Sequence, residues 1–136
     1  MREDRPADRR IGPRQRQPLL WYVLDERVLR HAVGGHVVMA AQLDKLLATS
    51  DAPGIVIQVL PFTADNHASS DGPIAVYDFA DSPSICYTEC YSGGRIVEVH
   101  SEVSDLVTVM SLLRAAALPV RESRELMRKI RSEIDG

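Results

Sequence analysis

The clearest pattern along the chain is a stripe of apolar residues between positions 36 and 49. These residues fall at positions i, i+4, i+7 and i+8, which is the spacing that places side chains on one face of an α-helix. They are Met39, Leu43, Leu46 and Leu47. The pair Gly34-Gly35 separates this stretch from a shorter helix, which we expect to run from an N-cap at Asp25 to Arg30. The pattern therefore predicts two helices in succession.

Runs of β-branched and aromatic residues predict a strand on each side of these helices. Residues 19–24 are apolar and aromatic and suit a short strand. Residues 55–60 form a β-branched run between Gly54 and Pro61, which is typical of a strand that is buried on both faces. We expect this second strand to lie centrally in a sheet.

The second half of the chain predicts three more strands. Residues 61–73 concentrate turn-forming and small polar residues, so we expect an exposed loop there. Residues 74–79 and 85–91 flank an Asp-Ser-Pro turn and predict an antiparallel hairpin. Residues 95–99, which follow a glycine pair, are a candidate third strand.

Two amphipathic helices complete the predicted fold. Ser101 is a candidate N-cap for a helix that ends near Pro119, and a last helix is expected over residues 121–134. Their apolar positions are Val103, Leu106, Val107, Met110, Leu113 and Ala117 in the first, and Leu126, Met127, Ile130 and Ile134 in the second. The predicted class is α+β, with a small, mainly antiparallel sheet of about four to five strands packed against about three to four helices.

Length and composition indicate one packed domain with a charged N-terminal arm. The 136 residues are 45% apolar and 26% charged, which is ordinary for a globular chain. Residues 1–17 hold six arginines and carry a charge of +3, whereas residues 18–136 carry −6. A segment as polar as the first cannot bury enough apolar area to offset the entropy of ordering. We therefore expect a flexible Arg-rich arm over 1–17 and a single domain over 18–136.

The acidic balance of the chain disfavours direct binding to nucleic acid. The formal net charge is −3, so the phosphate backbone is repelled. The order of helix, glycine pair and second helix superficially resembles a helix-turn-helix DNA-binding motif. The second helix, however, has only Gln42 and Lys45 to contact bases and phosphates. The chain also has no apolar run of roughly 18 to 20 residues and no secretion signal. We expect a cytoplasmic protein that binds neither nucleic acid nor membrane.

The four histidines and two cysteines do not have the spacing of a metal site. Cys86 and Cys90 lie in one predicted strand, too far apart along it to form a disulfide. A thiol on an apolar strand is generally inert, so Cys86 is not a candidate nucleophile. We expect reduced thiols, no metal and no cofactor.

Tyr87 and Glu89 are the best candidates for acid-base chemistry or ligand binding. By strand alternation they share one face of the strand, and with His67 and Glu26 they could converge on one cavity. A carboxylate among aromatic rings has a raised pKa, which suits a general base. The alternative, in which Glu89 only hydrogen-bonds a backbone amide or a neighbouring arginine, is the more common arrangement and stays open.

A series of short motifs resembles a known family. The motifs are Leu-Asp-Glu at 24–26, Val-Gly-Gly at 33–35, Met-x-x-Gln-Leu at 39–43, Gln-Val-Leu-Pro-Phe at 58–62, Tyr-x-Glu at 87–89, and Ala-Ala-Leu-Pro at 116–119 followed by Glu122 and Ser123. In this order they resemble the C-terminal domain of unknown function, an effector-like domain, of actinobacterial Xre-type, antitoxin-like helix-turn-helix regulators. The resemblance covers about residues 15–131.

The resemblance implies a domain that senses a ligand or mediates assembly, commonly beside a small partner protein encoded next to it. In that family the domain follows a DNA-binding helical domain, whereas here Met1 lies only about twenty residues before the first motif. This departure predicts a fragment, an effector domain that binds full-length regulators, or a stand-alone protein whose pocket has turned to chemistry.

We expect a non-catalytic regulatory domain that binds a small-molecule ligand or a regulator protein. The polar residues of the shared motifs are the predicted ligand-binding set: Glu26, Arg30, Gln42, His67, Tyr87 and Glu89. The alternative is a small cofactor-free enzyme, an isomerase, cyclase or hydrolase acting on a natural-product intermediate, with Glu89 or His67 as general base and Tyr87 as acid. A third alternative is a partner-binding homo-oligomer, such as a homodimer.

Overall fold

The computed structural model describes residues 18–64 and 72–135. Its elements in chain order are β1 (Leu20–Asp25), α1 (Glu26–Arg30), α2 (His36–Thr49), β2 (Ile55–Leu60), β3 (Ile74–Tyr77), β4 (Ile85–Cys90), β5 (Gly93–Val97), α3 (His100–Ala116) and α4 (Val120–Asp135). The predicted α+β class is confirmed. The predicted arm over 1–17 lies outside the described residues.

The five described strands form two sheets rather than the single sheet that we expected. β1 and β2 pair in parallel, from Leu20 opposite Ile55 to Asp25 opposite Leu60. The chain passes through α1 and α2 between these strands, and such a crossover lets the second strand run in the same direction as the first. β3, β4 and β5 form an antiparallel sheet with β4 in the centre, which confirms the predicted hairpin. The third strand is present, but it spans Gly93–Val97 instead of the predicted 95–99, so the glycine pair is part of the strand.

The second edge of β2 is covered by the segment between α3 and α4 together with the start of α4. Leu118 donates its backbone N–H to the Val59 carbonyl over 2.9 Å, and the Val59 N–H donates to Ser123 Oγ over 2.8 Å. Ser123 is fully buried, and its hydroxyl donates in turn to the Leu118 carbonyl over 3.1 Å. β2 is therefore buried, as predicted, but a loop and a helix start cover its second edge. The expectation of a central position in the sheet was wrong.

The described residues form two hydrophobic clusters, one on each sheet. The first cluster packs α2 and α4 against β2, and its buried members are Leu29, Met39, Leu43, Ile57, Val59, Met127 and Ile130. The second cluster packs α3 against the antiparallel sheet, and its buried members are Cys86, Val97 and Val103. The periodic stripes that predicted α2 and α4 supply the first cluster, so they also identified the buried faces of these helices.

The helix starts differ in how well the sequence predicted them. Asp25 caps α1 as expected, because its carboxylate accepts the backbone N–H of Arg27 over 2.9 Å. Ser101 does not cap α3. The Val103 N–H donates to the Val99 carbonyl over 2.9 Å, so the helix starts at His100 with Val99 as its N-cap and no side-chain cap. Ser101 consequently lies inside the first turn.

Among the described helices, none is by itself long and apolar enough to cross a membrane. The helices α3 and α4 reach that length and composition only when they are taken as a pair, and they are bent by 70° relative to each other. Met127 and Ile130 of this pair are buried in the first cluster.

Candidate functional site between the two sheets

A cleft lies between the two sheets, where β1 faces β3. Within the described residues, each of these strands pairs with one other strand and has one free edge. The first part of the cleft has a volume of about 570 Å³, and its lining includes Trp21 and Arg114. The second part, of about 470 Å³, continues along the same strands to Gly72 and Leu113. Met110 of α3 lines both parts, which together we call the inter-sheet cleft.

Large apolar side chains remain exposed along both walls of the inter-sheet cleft. Trp21 and Tyr22 of β1 are 39% and 45% exposed, and Tyr77 of β3 and the nearby Phe79 are 50% and 52% exposed. Contiguous exposed apolar surface of this kind commonly marks a binding site. The two walls therefore favour a bound ligand or partner over a purely structural role.

The indole ring of Trp21 is held in place by a buried amide. Its Nε1 donates to Gln58 Oε1 over 2.7 Å, and Gln58 Nε2 donates to the Leu118 carbonyl over 3.0 Å. Gln58 is buried on β2, and these two hydrogen bonds fix its side-chain amide. The fixed amide orients the Trp21 ring on the neighbouring strand. Trp21 is also the only tryptophan of the chain, which makes its fluorescence a direct reporter on the cleft.

Arg114, in the last turn of α3, places its guanidinium over the ring of Trp21, with Cζ 4.4 Å from the ring centroid. Its Nε atom is buried and has no hydrogen-bond partner in the part of the chain that the structure describes. The ion pairs of the described residues do not include Arg114 either. A stacked guanidinium without a carboxylate retains N–H donors for an external acceptor.

Two of the predicted ligand-binding residues, Glu26 and Arg30, form an internal ion pair on α1. Arg30 Nε donates to Glu26 Oε2 over 2.7 Å, and Arg30 Nη1 donates to Glu133 Oε1 over 3.0 Å. The second oxygen of the buried Glu26 carboxylate accepts the Phe62 N–H over 2.8 Å. The hydrogen bonds to Glu26 and Glu133 raise the pKa of the Arg30 guanidinium. This network ties α1 to α4 and to the residues after β2.

Tyr87 and Glu89 lie together on one face of β4. Cys86 lies on the opposite face, which packs against α3. The Tyr87 hydroxyl donates to Glu89 Oε2 over 3.4 Å. The Tyr87 ring covers Gly94, where an added Cβ would lie 1.8 Å from the hydroxyl oxygen, so a side chain there would displace the ring. Desolvation, and then the Glu89 charge, raise the pKa of Tyr87. Glu89 is exposed, so water reaches this pair.

Among the described residues, Gln42 belongs to neither of these two pairs. Gln42 is exposed on α2, and His67 lies outside the described residues. No hydrogen bond or ion pair between described residues joins the pair on α1 to the pair on β4. In the described ranges no group of three or more His, Cys, Asp or Glu side chains could hold a metal. Convergence of the predicted set on one cavity stays a prediction. Trp21 and Arg114 were not among the site residues predicted from the sequence.

The two cysteines are free, and they differ in exposure and in thiol acidity. Cys86 is buried, and burial, followed by the charge of Asp78, raises its pKa. Cys90 is exposed, and its thiol contacts Ser92 Oγ at 3.2 Å and the Gly93 carbonyl at 3.4 Å. The contact with Ser92 is the main cause of the lowered pKa of Cys90.

We expect Ellman's reagent to modify one thiol of the native chain quickly and the other at least about 100-fold more slowly, because a buried thiol reacts only after local opening. Cys90 is the fast thiol. Because its pKa is lowered, the pH at which its reaction rate is half-maximal should be lower than the corresponding pH for free cysteine. The control is Cys90→Ser, which should abolish the fast phase alone. Two fast thiols in the native protein would contradict the burial of Cys86.

One comparison with known proteins gives a match. A family model described as a domain of unknown function (DUF5753) matches residues 3–129, a range that includes both walls of the inter-sheet cleft. No curated protein and no solved structure matches the chain. The match specifies neither a helix-turn-helix regulator nor an actinobacterial origin, so that part of the resemblance stays a prediction.

Proposed function

Since the chain belongs to the DUF5753 family, whose description assigns no function, we propose from the geometry that it is a non-catalytic regulatory domain that binds a small molecule in the inter-sheet cleft. The resemblance to the effector domain of Xre-type regulators is part of this proposal, because such a domain would pass its ligand response to a regulator protein.

The observation that carries the proposal is the aromatic lining of a cleft of suitable size. The first part of the cleft, at about 570 Å³, falls within the roughly 300–1,000 Å³ that is typical of small-molecule sites. Such sites are lined mainly by apolar and aromatic groups, with a few polar groups that fix the orientation of the ligand. Trp21, Tyr22 and Tyr77 supply the aromatic surface, and Arg114 supplies the polar group.

Binding in the inter-sheet cleft would act on both sheets at once. One wall belongs to the parallel pair on the first cluster, and the other belongs to the antiparallel sheet on the second cluster. A ligand that contacts both walls favours one spacing of the sheets, by the difference in its affinity for the alternative spacings. A partner protein that contacts both sheets would then detect the ligand as a change in that spacing.

We expect the neutral probe N-phenyl-1-naphthylamine to bind in the cleft and to quench the fluorescence of Trp21 in a saturable way. The probe absorbs at the wavelengths where tryptophan emits, and the only tryptophan of the chain lines the cleft, so energy transfer reports occupancy there. Ala75→Phe adds a ring to the β3 wall and should weaken probe binding by about tenfold, since added volume in a fitted site costs about 1–3 kcal/mol.

The matched control is Ala115→Phe, which adds the same ring at an exposed position of α3 that is not among the cleft residues. This variant should bind the probe as the unmodified protein does. Absence of quenching, or equal binding by the Ala75→Phe and Ala115→Phe variants, would rule out the cleft as the ligand site.

A further inference from the structure

We propose that the inter-sheet cleft selects planar organic ligands that carry one carboxylate, and that Arg114 binds this carboxylate. The inference rests on the proposed function, because it names the class of ligand for the same cleft. It goes beyond that function in specifying charge and shape.

The first observation is that Arg114 differs from the other half-buried arginines of the described residues. Arg124 forms an ion pair with Asp51 over 2.8 Å, and Arg131 forms ion pairs with Asp44 and Asp135 over 2.8 and 2.7 Å. Arg114 is also half-buried, but its Nε has no partner within the described ranges and no carboxylate lies at ion-pair distance there. A partly desolvated cation without a carboxylate partner is costly, and a carboxylate bound at the Nη groups of Arg114 would offset part of that cost.

The second observation is the stacking of Arg114 on Trp21. The guanidinium lies over the indole ring at 4.4 Å, and Gln58 holds the indole through a hydrogen bond of 2.7 Å. Stacking occupies the face of the guanidinium and leaves its N–H groups, which lie in the guanidinium plane, free to donate. A carboxylate accepts two such parallel donors at once, in a geometry that a neutral amide cannot reproduce.

The rest of the lining sets the shape and the charge of the ligand. Beyond Arg114 the cleft continues past Met110 and Leu113 between two strand edges, so a flat apolar ring system suits it better than a bulky one. Asp78 also lines the first part of the cleft, and its carboxylate accepts a hydrogen bond from Ser84. One cation with one nearby anion favours a ligand with a single negative charge over a dianion.

The experiment compares 2-naphthoate with 2-naphthamide, which share the same ring and differ in charge, as competitors for N-phenyl-1-naphthylamine. We expect the unmodified protein to bind naphthoate about tenfold more tightly than naphthamide, which is typical of one charge-assisted hydrogen-bond pair. In Arg114→Gln the ratio of the two affinities should fall to about one. Arg121→Gln, which changes an exposed arginine on α4, is the control and should leave the ratio unchanged.

The outcomes separate this inference from the proposed function. Equal binding of naphthoate and naphthamide to the unmodified protein, or an unchanged ratio in Arg114→Gln, overturns the choice of a carboxylate while the cleft remains the ligand site. No binding of the probe or of either naphthalene overturns both. If Arg114→Gln does not fold, Asp78→Asn should raise the ratio by about twofold by removing a repulsive charge, and an unchanged or lower ratio overturns the inference.

Discussion

Replacing Leu43 with alanine is expected to lower the free energy of unfolding by about 3 kcal/mol. Leu43 lies on the apolar stripe of α2 and is completely buried in the first cluster, together with Ile57 of β2 and Met127 of α4. Truncation removes apolar contacts and leaves a cavity that three elements line, so the structure cannot collapse to fill it easily. Urea denaturation followed by circular dichroism measures the loss.

The control for this substitution is Val37→Ala on the same helix. Val37 is 85% exposed, so its truncation should change the free energy of unfolding by less than about 0.5 kcal/mol. Comparable losses in the two variants would mean that the apolar stripe of α2 does not face the first cluster.

Glu26→Gln is expected to lower the free energy of unfolding by about 2 kcal/mol. The buried carboxylate accepts from Arg30 on one oxygen and from the Phe62 N–H on the other. The glutamine side chain has the same shape as the glutamate but no charge. Its NH₂ group would point at one of the two N–H groups, of Arg30 or of Phe62, that now donate to the carboxylate. Urea denaturation measures the change. The Arg30 side chain is 33% exposed, so solvent screens its ion pair with Glu26 and the loss should not exceed this value.

Glu133→Gln is the matched control, because Glu133 contacts the same arginine at 3.0 Å from a more exposed position. Its loss should be below about 0.5 kcal/mol. Neither substitution should alter binding of N-phenyl-1-naphthylamine, because neither residue is among those that line the inter-sheet cleft. Weaker probe binding by the folded Glu26→Gln variant would instead support the ligand-binding role that the sequence predicted for Glu26.

The sequence predicted the individual elements far better than their arrangement. The bounds of α2 and β2 agree with the prediction to the residue, because a helical stripe and a β-branched run are each delimited by glycine or proline. A buried run, however, does not specify what covers it. In β2 the second edge is covered by Leu118 and Ser123, about sixty residues later, and nothing in their local pattern indicates this contact.

The candidate site was harder to predict than the fold, for a related reason. Trp21 and Arg114 are 93 positions apart and come together because α3 contacts strands of both sheets. The sequence contains a weak signal for both residues. Trp21 is the only tryptophan of the chain, and Arg114 interrupts the otherwise apolar stretch 112–118. Glu26 was selected because it is acidic and belongs to a shared motif, but a motif residue can equally be a buried structural anchor.

The two hydrophobic clusters also differ in how early a growing chain can complete them. All members of the second cluster lie between Val76 and Leu106, so one continuous stretch of sequence contains them. The first cluster joins Leu29 to Ile130 and needs α4, which is synthesised after all members of the second cluster. Contacts between distant positions form slowly because a long loop must close first. During synthesis the antiparallel sheet can therefore form on α3 while β2 still has an uncovered edge, and aggregation is most probable in that interval.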